Sequence, residues 1–310
     1  MTAIYHKEYP ADRAAMQVMR AELHLHPAFE FGPEARPAYD ELIARTIAAQ
    51  DVTYEAGTVG GVPGWWCRPW DAVEGAAILY LHGGAYILGS ASAYRSFAGQ
   101  IAAKAKAVTF IPDYKLAPEH RFPGAVDDAF AVYRGLSAVG YSSLALAGDS
   151  AGGGLALSLL SLATAASRDG SVHRPSAAAV MSPWTDLALT GDSIEARANA
   201  DPILTRDALR KAAKLYLGEQ NLCNPQASPL YDDLTGLPPV LLHVGEDEIL
   251  LDDSRRFAER ISSVGGVAQF RVWQGMVHVF SSNLELFLAA REALDEIREF
   301  LRSHLTQMSP

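Results

Sequence analysis

Cysteine is almost absent: 310 residues contain two, Cys67 and Cys223. They lie far apart and form no Cys-x-x-Cys or Cys/His spacing, which excludes a disulfide framework and the common zinc patterns. Positive charge is also scarce. Lysine and arginine number 26 against 36 acidic residues, a net charge of −10, so a nucleic-acid-binding surface is not expected. MTAIYHKEYPADRAAM lacks the basic-then-apolar order of a signal peptide, and the longest apolar run, Leu155 to Ala166, is too short to span a bilayer. No stable membrane insertion is expected, the cytoplasm is the default location, and the expected partners are small molecules. Internal repeats and low-complexity linkers are missing as well. With 49% hydrophobic residues, the chain can bury a large core.

Residues 1–50 read as helical, interrupted by Pro27, Pro33 and Pro37, with Met16, Met19, Leu23, Leu25 and Phe29 as adaptable apolar groups. They are expected to form an N-terminal cap segment. His24 and His26 suggest a metal only superficially, because an i, i+2 pair on a helix points to different sides. From Asp51 the texture changes to strands: VTYEAG, GVPGWWCRP, then AAILYLHGG. Helix-like and strand-like segments then alternate, with strands at Ala107–Ile111, Leu144–Ala147, Ala177–Ser182, Val240–Gly245 and Ala268–Trp273, and a last helix over about Leu284–Leu301. Continuous apolar strands alternating with helices predict an α/β fold with a mostly parallel sheet covered on both faces. The early strands supply an antiparallel edge. One catalytic domain over 51–310 follows, with a helical insertion at about 190–229 in which Thr205 is an N-cap.

The chemistry gathers around Leu146-Ala147-Gly148-Asp149-Ser150-Ala151-Gly152. This fits Gly-x-Ser-x-Gly, in which a serine is pushed clear of the sheet at a tight strand-to-helix turn. Gly148 and Gly152 lack the Cβ atoms that would collide there. A serine needs a base, and the base needs a group to orient it. Strand VLLHVG runs into Glu246-Asp247-Glu248, and strand AQFRVW runs on to His278, each just after a strand and in the chain order serine, acid, histidine. Donors for a developing oxyanion are expected from the backbone of Gly83 and Gly84 after strand AAILYL and from Ala151 at the helix start. His82 reads as a loop brace, and Asp113, Arg121, Asp127, Asp128 and Asp149 as structural charges. Tyr86, Trp184, Leu204 and Phe280 are candidate substrate-pocket walls.

Taken together, HGGAY, DYKLAPEH with FPGAVDDA, GDSAGGGLA, SPWTDL, ASPLYDDLTGLPP and GMVHVF resemble the bacterial hormone-sensitive-lipase family of esterases, from about Ala76 to the C-terminus. The resemblance implies an α/β-hydrolase fold with a helical cap. It implies a serine carboxylesterase with Ser150 as nucleophile, His278 as base, and Gly83, Gly84 and Ala151 as the oxyanion hole. It also implies a small-molecule ester substrate, no metal or cofactor, and a possible homodimer through an edge strand near the last helices. Counting from Leu237-Pro238-Pro239 puts Glu248 at the family's acid, with Asp247 as second choice; the chain departs from the family in having Glu for the usual Asp and Ile249 for the usual Pro. The same parts equally suit a lactonase, an amidase or an acyltransferase. A ligand-binding receptor is the reading from another class, and retention of every part speaks against it.

Overall fold

In the computed structural model, which describes residues 1–25 and 31–306, nine strands form one sheet: β1 (Thr2–His6), β2 (Val52–Val59), β3 (Val62–Pro69), β4 (Ala76–Leu81), β5 (Val108–Pro112), β6 (Ser143–Asp149), β7 (Ala177–Met181), β8 (Val240–Gly245) and β9 (Ala268–Trp273). They lie in the order β1, β9, β8, β7, β6, β4, β5, β3, β2. Every residue of β4 to β8 is buried, as strands covered on both faces must be. The contacts from β4 through β9 are parallel, and β2 and β3 form the antiparallel edge.

The helices are α1 (Pro10–Leu25), α2 (Arg36–Ile43), α3 (Ala91–Ala105), α4 (Gly124–Ala138), α5 (Ser150–Ala166), α6 (Ser193–Ala196), α7 (Arg206–Leu217), α8 (Leu251–Ser263) and α9 (Leu288–Leu305). Thr205 caps α7 by accepting from Ala208 N, and α6 and α7 lie within the expected insertion. The apolar run of α5 extends further than its sequence suggests. Ser150–Asp169 is a helical stretch of 20 residues, long and apolar enough to cross a membrane, but 72% of its most apolar window is buried inside the protein. It is a core helix packed on β4, β6 and β7, which is why it has no polar face.

Two expectations need correction. The N-terminal segment is not purely helical, because Thr2–His6 forms β1, parallel to β9, with Ile4 opposite Arg271 and His6 opposite Trp273. Its residues are mostly exposed, so no alternation marked them; pairing to a distant edge makes the strand. The edge of β9 near the last helices is therefore already occupied. His6 also stacks on Trp273 at 3.7 Å. The last helix starts later than expected, after a 3₁₀ turn at Phe280–Ser282, where Asp12 accepts from Leu288 N and Ala289 N at 2.8 Å each. The side chain of His24, and His26, Pro27 and Phe29, lie outside the described residues.

The chain order reverses at β4. From β4 the sheet grows to one side through β5, and then β6 returns to the other side, followed by β7, β8 and β9. Ligand crevices in open α/β sheets form at such switch points, beyond the carboxyl ends of the strands. Here that position lies between the loop after β4 and the turn after β6.

Candidate active site

Ser150 sits where β6 becomes α5, with φ +52. A non-glycine residue avoids this left-handed region at a cost of about 1–2 kcal/mol, so the conformation persists only because its surroundings hold it. The close approach of the start of α5 to the end of β4 does so. A Cβ on Gly152 would lie 2.2 Å from the carbonyl oxygens of Leu81 and His82, and one on Gly148 would lie 2.5 Å from Gly152 O. The glycines thus let α5 start directly against the end of β4, beyond the local chain reversal that their spacing suggested.

His278 and Glu248 converge on this serine from the ends of β9 and β8. His278 Nε2 lies 2.9 Å from Ser150 Oγ, and its Nδ1 lies 3.1 Å from Glu248 Oε1. The other oxygen of Glu248 accepts from Ser182 Oγ at 2.7 Å and Gly245 N at 2.9 Å. Ser182 in turn accepts from Val279 N at 3.0 Å, tying the acid and the histidine loop to the end of β7. Ser182 belongs to the SPWTDL segment, but its contact to Glu248 spans 66 residues, and no local signal marks it. Glu248 is fully buried and His278 is 8% exposed. Burial opposes the imidazolium, yet the hydrogen bond and charge of Glu248, aided by Asp201 and Asp149, outweigh it and raise the His278 pKa above its ordinary 6.5.

Asp247 turns elsewhere. Its carboxylate pairs with Arg20 of α1 at 2.7 Å, and Arg20 also donates to Ala200 O. The neighbouring Asp201 accepts from Ile203 N and Leu204 N through one oxygen and from Ile249 N through the other, at 2.8 to 2.9 Å. Arg20 and Asp201, which the sequence did not single out, thus fasten α1 and the 190–229 insertion to the turn carrying Glu248.

The loop after β4 brings a correction. Gly83 N, expected to face an oxyanion, donates to Asp149 Oδ1 at 3.0 Å, so it is already engaged. The next amides, Gly84 and Ala85, and that of Ala151 have no acceptor among the described hydrogen bonds. Gly84, Ala85 and Tyr86 all have positive φ, at 112, 56 and 63, a run that presents successive N–H groups on one side. Burial pushes the Asp149 carboxyl up to about 6 despite hydrogen bonds from Tyr80, Tyr94 and Gly83. His82 stacks on Tyr114 at 4.3 Å, and burial lowers its pKa to about 4, which leaves a neutral ring bracing the loop. Asp128 accepts from Lys115 N and Lys115 Nζ, and Asp113 from Ala91 N.

The four wall candidates divide. Tyr86, Trp184 and Leu204 share one buried cluster, with Tyr86 stacked on Tyr216 at 3.9 Å. Phe280 instead packs with Met16, Trp273 and Met276. Metal-ligating groups meet at His6, Glu292 and Glu296, whose ligand atoms lie within 4.8 Å of one another. There Arg271 already holds Glu296 and Tyr9 holds Glu292, and β1 and α9 carry the group apart from Ser150.

Residues 78–282 match the family model described as the alpha/beta hydrolase fold. An acetyl-hydrolase of Streptomyces hygroscopicus is 39% identical over 79% of this chain and 81% of its own. An esterase of Acinetobacter venetianus is 34% identical over 92% of this chain and 94% of its own. The crystal structure of an esterase from the bacterial hormone-sensitive lipase family superposes with a TM-score of 0.87 at 37% identity, covering 96% of this chain and 99% of that one.

Proposed function

Because this chain belongs to the α/β-hydrolase family, and within it to the bacterial hormone-sensitive-lipase esterases, it is a carboxylic ester hydrolase; on that premise we propose that it cleaves short-chain esters through an acyl-enzyme on Ser150. The observation that carries this reading is the continuous contact from Ser150 Oγ through His278 to Glu248. His278 takes the serine proton as Oγ attacks the ester carbonyl. Glu248 holds the Nδ1–H tautomer and stabilises the imidazolium. The N–H groups of Gly84, Ala85 and Ala151 receive the oxyanion, His278 protonates the leaving alcohol, and water repeats the sequence to release the acid. Gly83 takes no part as a donor here, since its N–H is held by Asp149.

The acetyl-hydrolase name belongs to the Streptomyces relative, and it supports a small acyl group. A fluorophosphonate is expected to label Ser150 stoichiometrically, and p-nitrophenyl acetate and butyrate to be turned over faster than the decanoate. A preference for the decanoate would overturn the short-chain assignment, and an unlabelled Ser150 would overturn the acyl-enzyme.

The raised His278 pKa sets a pH dependence. The base works only when neutral, so kcat/KM is expected to rise with pH along an acid limb whose midpoint lies above the ordinary 6.5. Removing the charge of Glu248 leaves burial as the main influence, and burial lowers an imidazole pKa. The limb of Glu248→Gln is therefore expected at lower pH than the parent's. A limb that stays in place, measured as kcat/KM between pH 5 and 9, would break the assignment of Glu248 as the partner of the base.

A further inference from the structure

Helix α2 carries Arg36, Tyr39 and Asp40 at i, i+3 and i+4, a spacing that puts three side chains on one face. All three end on the loop that follows β4 or on a group that holds it. Arg36 Nε donates to Ile87 O at 2.8 Å and its Nη2 to Ala117 O at 3.0 Å. Asp40 Oδ2 accepts from Ser90 Oγ at 2.7 Å. The hydroxyl of Tyr39 lies 2.7 Å from that of Tyr94, and Tyr94 donates to Asp149 Oδ2 at 3.2 Å. Asp149 Oδ1 then receives Gly83 N at 3.0 Å and the Tyr80 hydroxyl at 2.7 Å. Between these anchors lie Gly84, Ala85 and Tyr86, all with positive φ, a conformation that side-chain-bearing residues keep only where neighbours hold it.

We propose that α2 positions the oxyanion hole: Arg36, Tyr39 and Asp40, with Tyr94 and Asp149 as intermediaries, fix where the Gly84 and Ala85 amides point. The inference rests on the reading of Ser150 as the nucleophile. None of the α2 residues touches the reacting atoms, so they are positioning residues. Their loss weakens an interaction made in the transition state and leaves ground-state ester binding in place, which lowers kcat without a matching rise in KM. The N-terminal segment thereby acts on turnover.

The test compares Tyr39→Phe, the triple variant R36Q/Y39F/D40N and the control Glu41→Gln on a p-nitrophenyl ester. Glu41 is an exposed residue of the same helix that takes no part in these contacts, and its variant is expected to match the parent. Y39F is expected to lose roughly 3–10-fold in kcat and the triple variant about 100-fold, with KM within about threefold. Inhibition by a trifluoromethyl ketone, whose adduct with Ser150 carries an oxyanion, is expected to weaken in parallel. A kcat within about twofold of the parent in the triple variant, or a loss confined to KM, overturns the proposal. Should the triple variant fail to fold, Y39F decides alone, with its thermal midpoint as the check on folding. Ser150→Ala is run alongside: full activity in that variant overturns the nucleophile reading itself, whereas its collapse beside an unchanged Y39F overturns only the role of α2.

Discussion

Ser150→Ala is expected to reduce kcat by about a millionfold, leaving only the residual acceleration that binding and the oxyanion donors supply. Without Oγ, His278 has no proton to take and the route through the acyl-enzyme is closed. Single-turnover assays of purified protein on p-nitrophenyl acetate, with a second preparation to exclude contaminating esterase, measure this directly. Parent-like turnover would refute the proposed mechanism. The variant also reports on backbone strain. At φ +52 alanine remains in the left-handed region and glycine does not mind it, so Ser150→Gly is expected to be more stable than Ser150→Ala by about 1 kcal/mol, read from urea midpoints.

Exchanging Glu248 for glutamine is expected to lower kcat by about 10⁴-fold. The amide is nearly isosteric, but Glu248 accepts hydrogen bonds at both oxygens, from His278 on one and from Ser182 and Gly245 on the other. A glutamine NH₂ must face one of these donors or else turn the imidazole to the wrong tautomer. Asp247→Asn provides the contrast. Asp247 meets Arg20 rather than His278, and both side chains are about a quarter exposed, so the loss is expected to stay below about tenfold, in line with a partly exposed ion pair. Measuring both variants under one condition separates the roles: a collapse in D247N beside a nearly normal E248Q would reverse them.

The sheet is largely legible in the sequence alone, for a physical reason. Ala76–Leu81 is an unbroken apolar run, and Val108–Pro112 and Val240–Gly245 are interrupted only by Thr109 and His243; a strand buried on both faces has that near-continuous signature in any context. Thr2–His6 was not legible, because nothing in TAIYH distinguishes it until β9 offers an edge to pair with. The same division runs through the site. Ser150 lies inside a local pattern whose glycines follow from steric contact, and a strand-end histidine and carboxylates are visible in chain order. The choice between adjacent Asp247 and Glu248 is not a local matter. It depends on Ser182 and Arg20, which arrive from elements 66 and 227 residues away in the chain.

The oxyanion loop shows where the boundary falls. HGGA announces backbone donors, since adjacent glycines permit the turn, but which N–H is available depends on which is already bonded. Asp149, 66 residues further on, takes Gly83, and α2, through contacts that span 50 and 51 residues, grips the loop from outside. By itself the sequence determined what depends on short-range sterics and on apolar periodicity: the parallel core strands, the tight turn at Ser150 and the cap of α7 at Thr205. Only the tertiary structure decided the pairing of donors with acceptors, because each such pair is a contest among groups distant in the chain, and burial leaves no water to satisfy the loser.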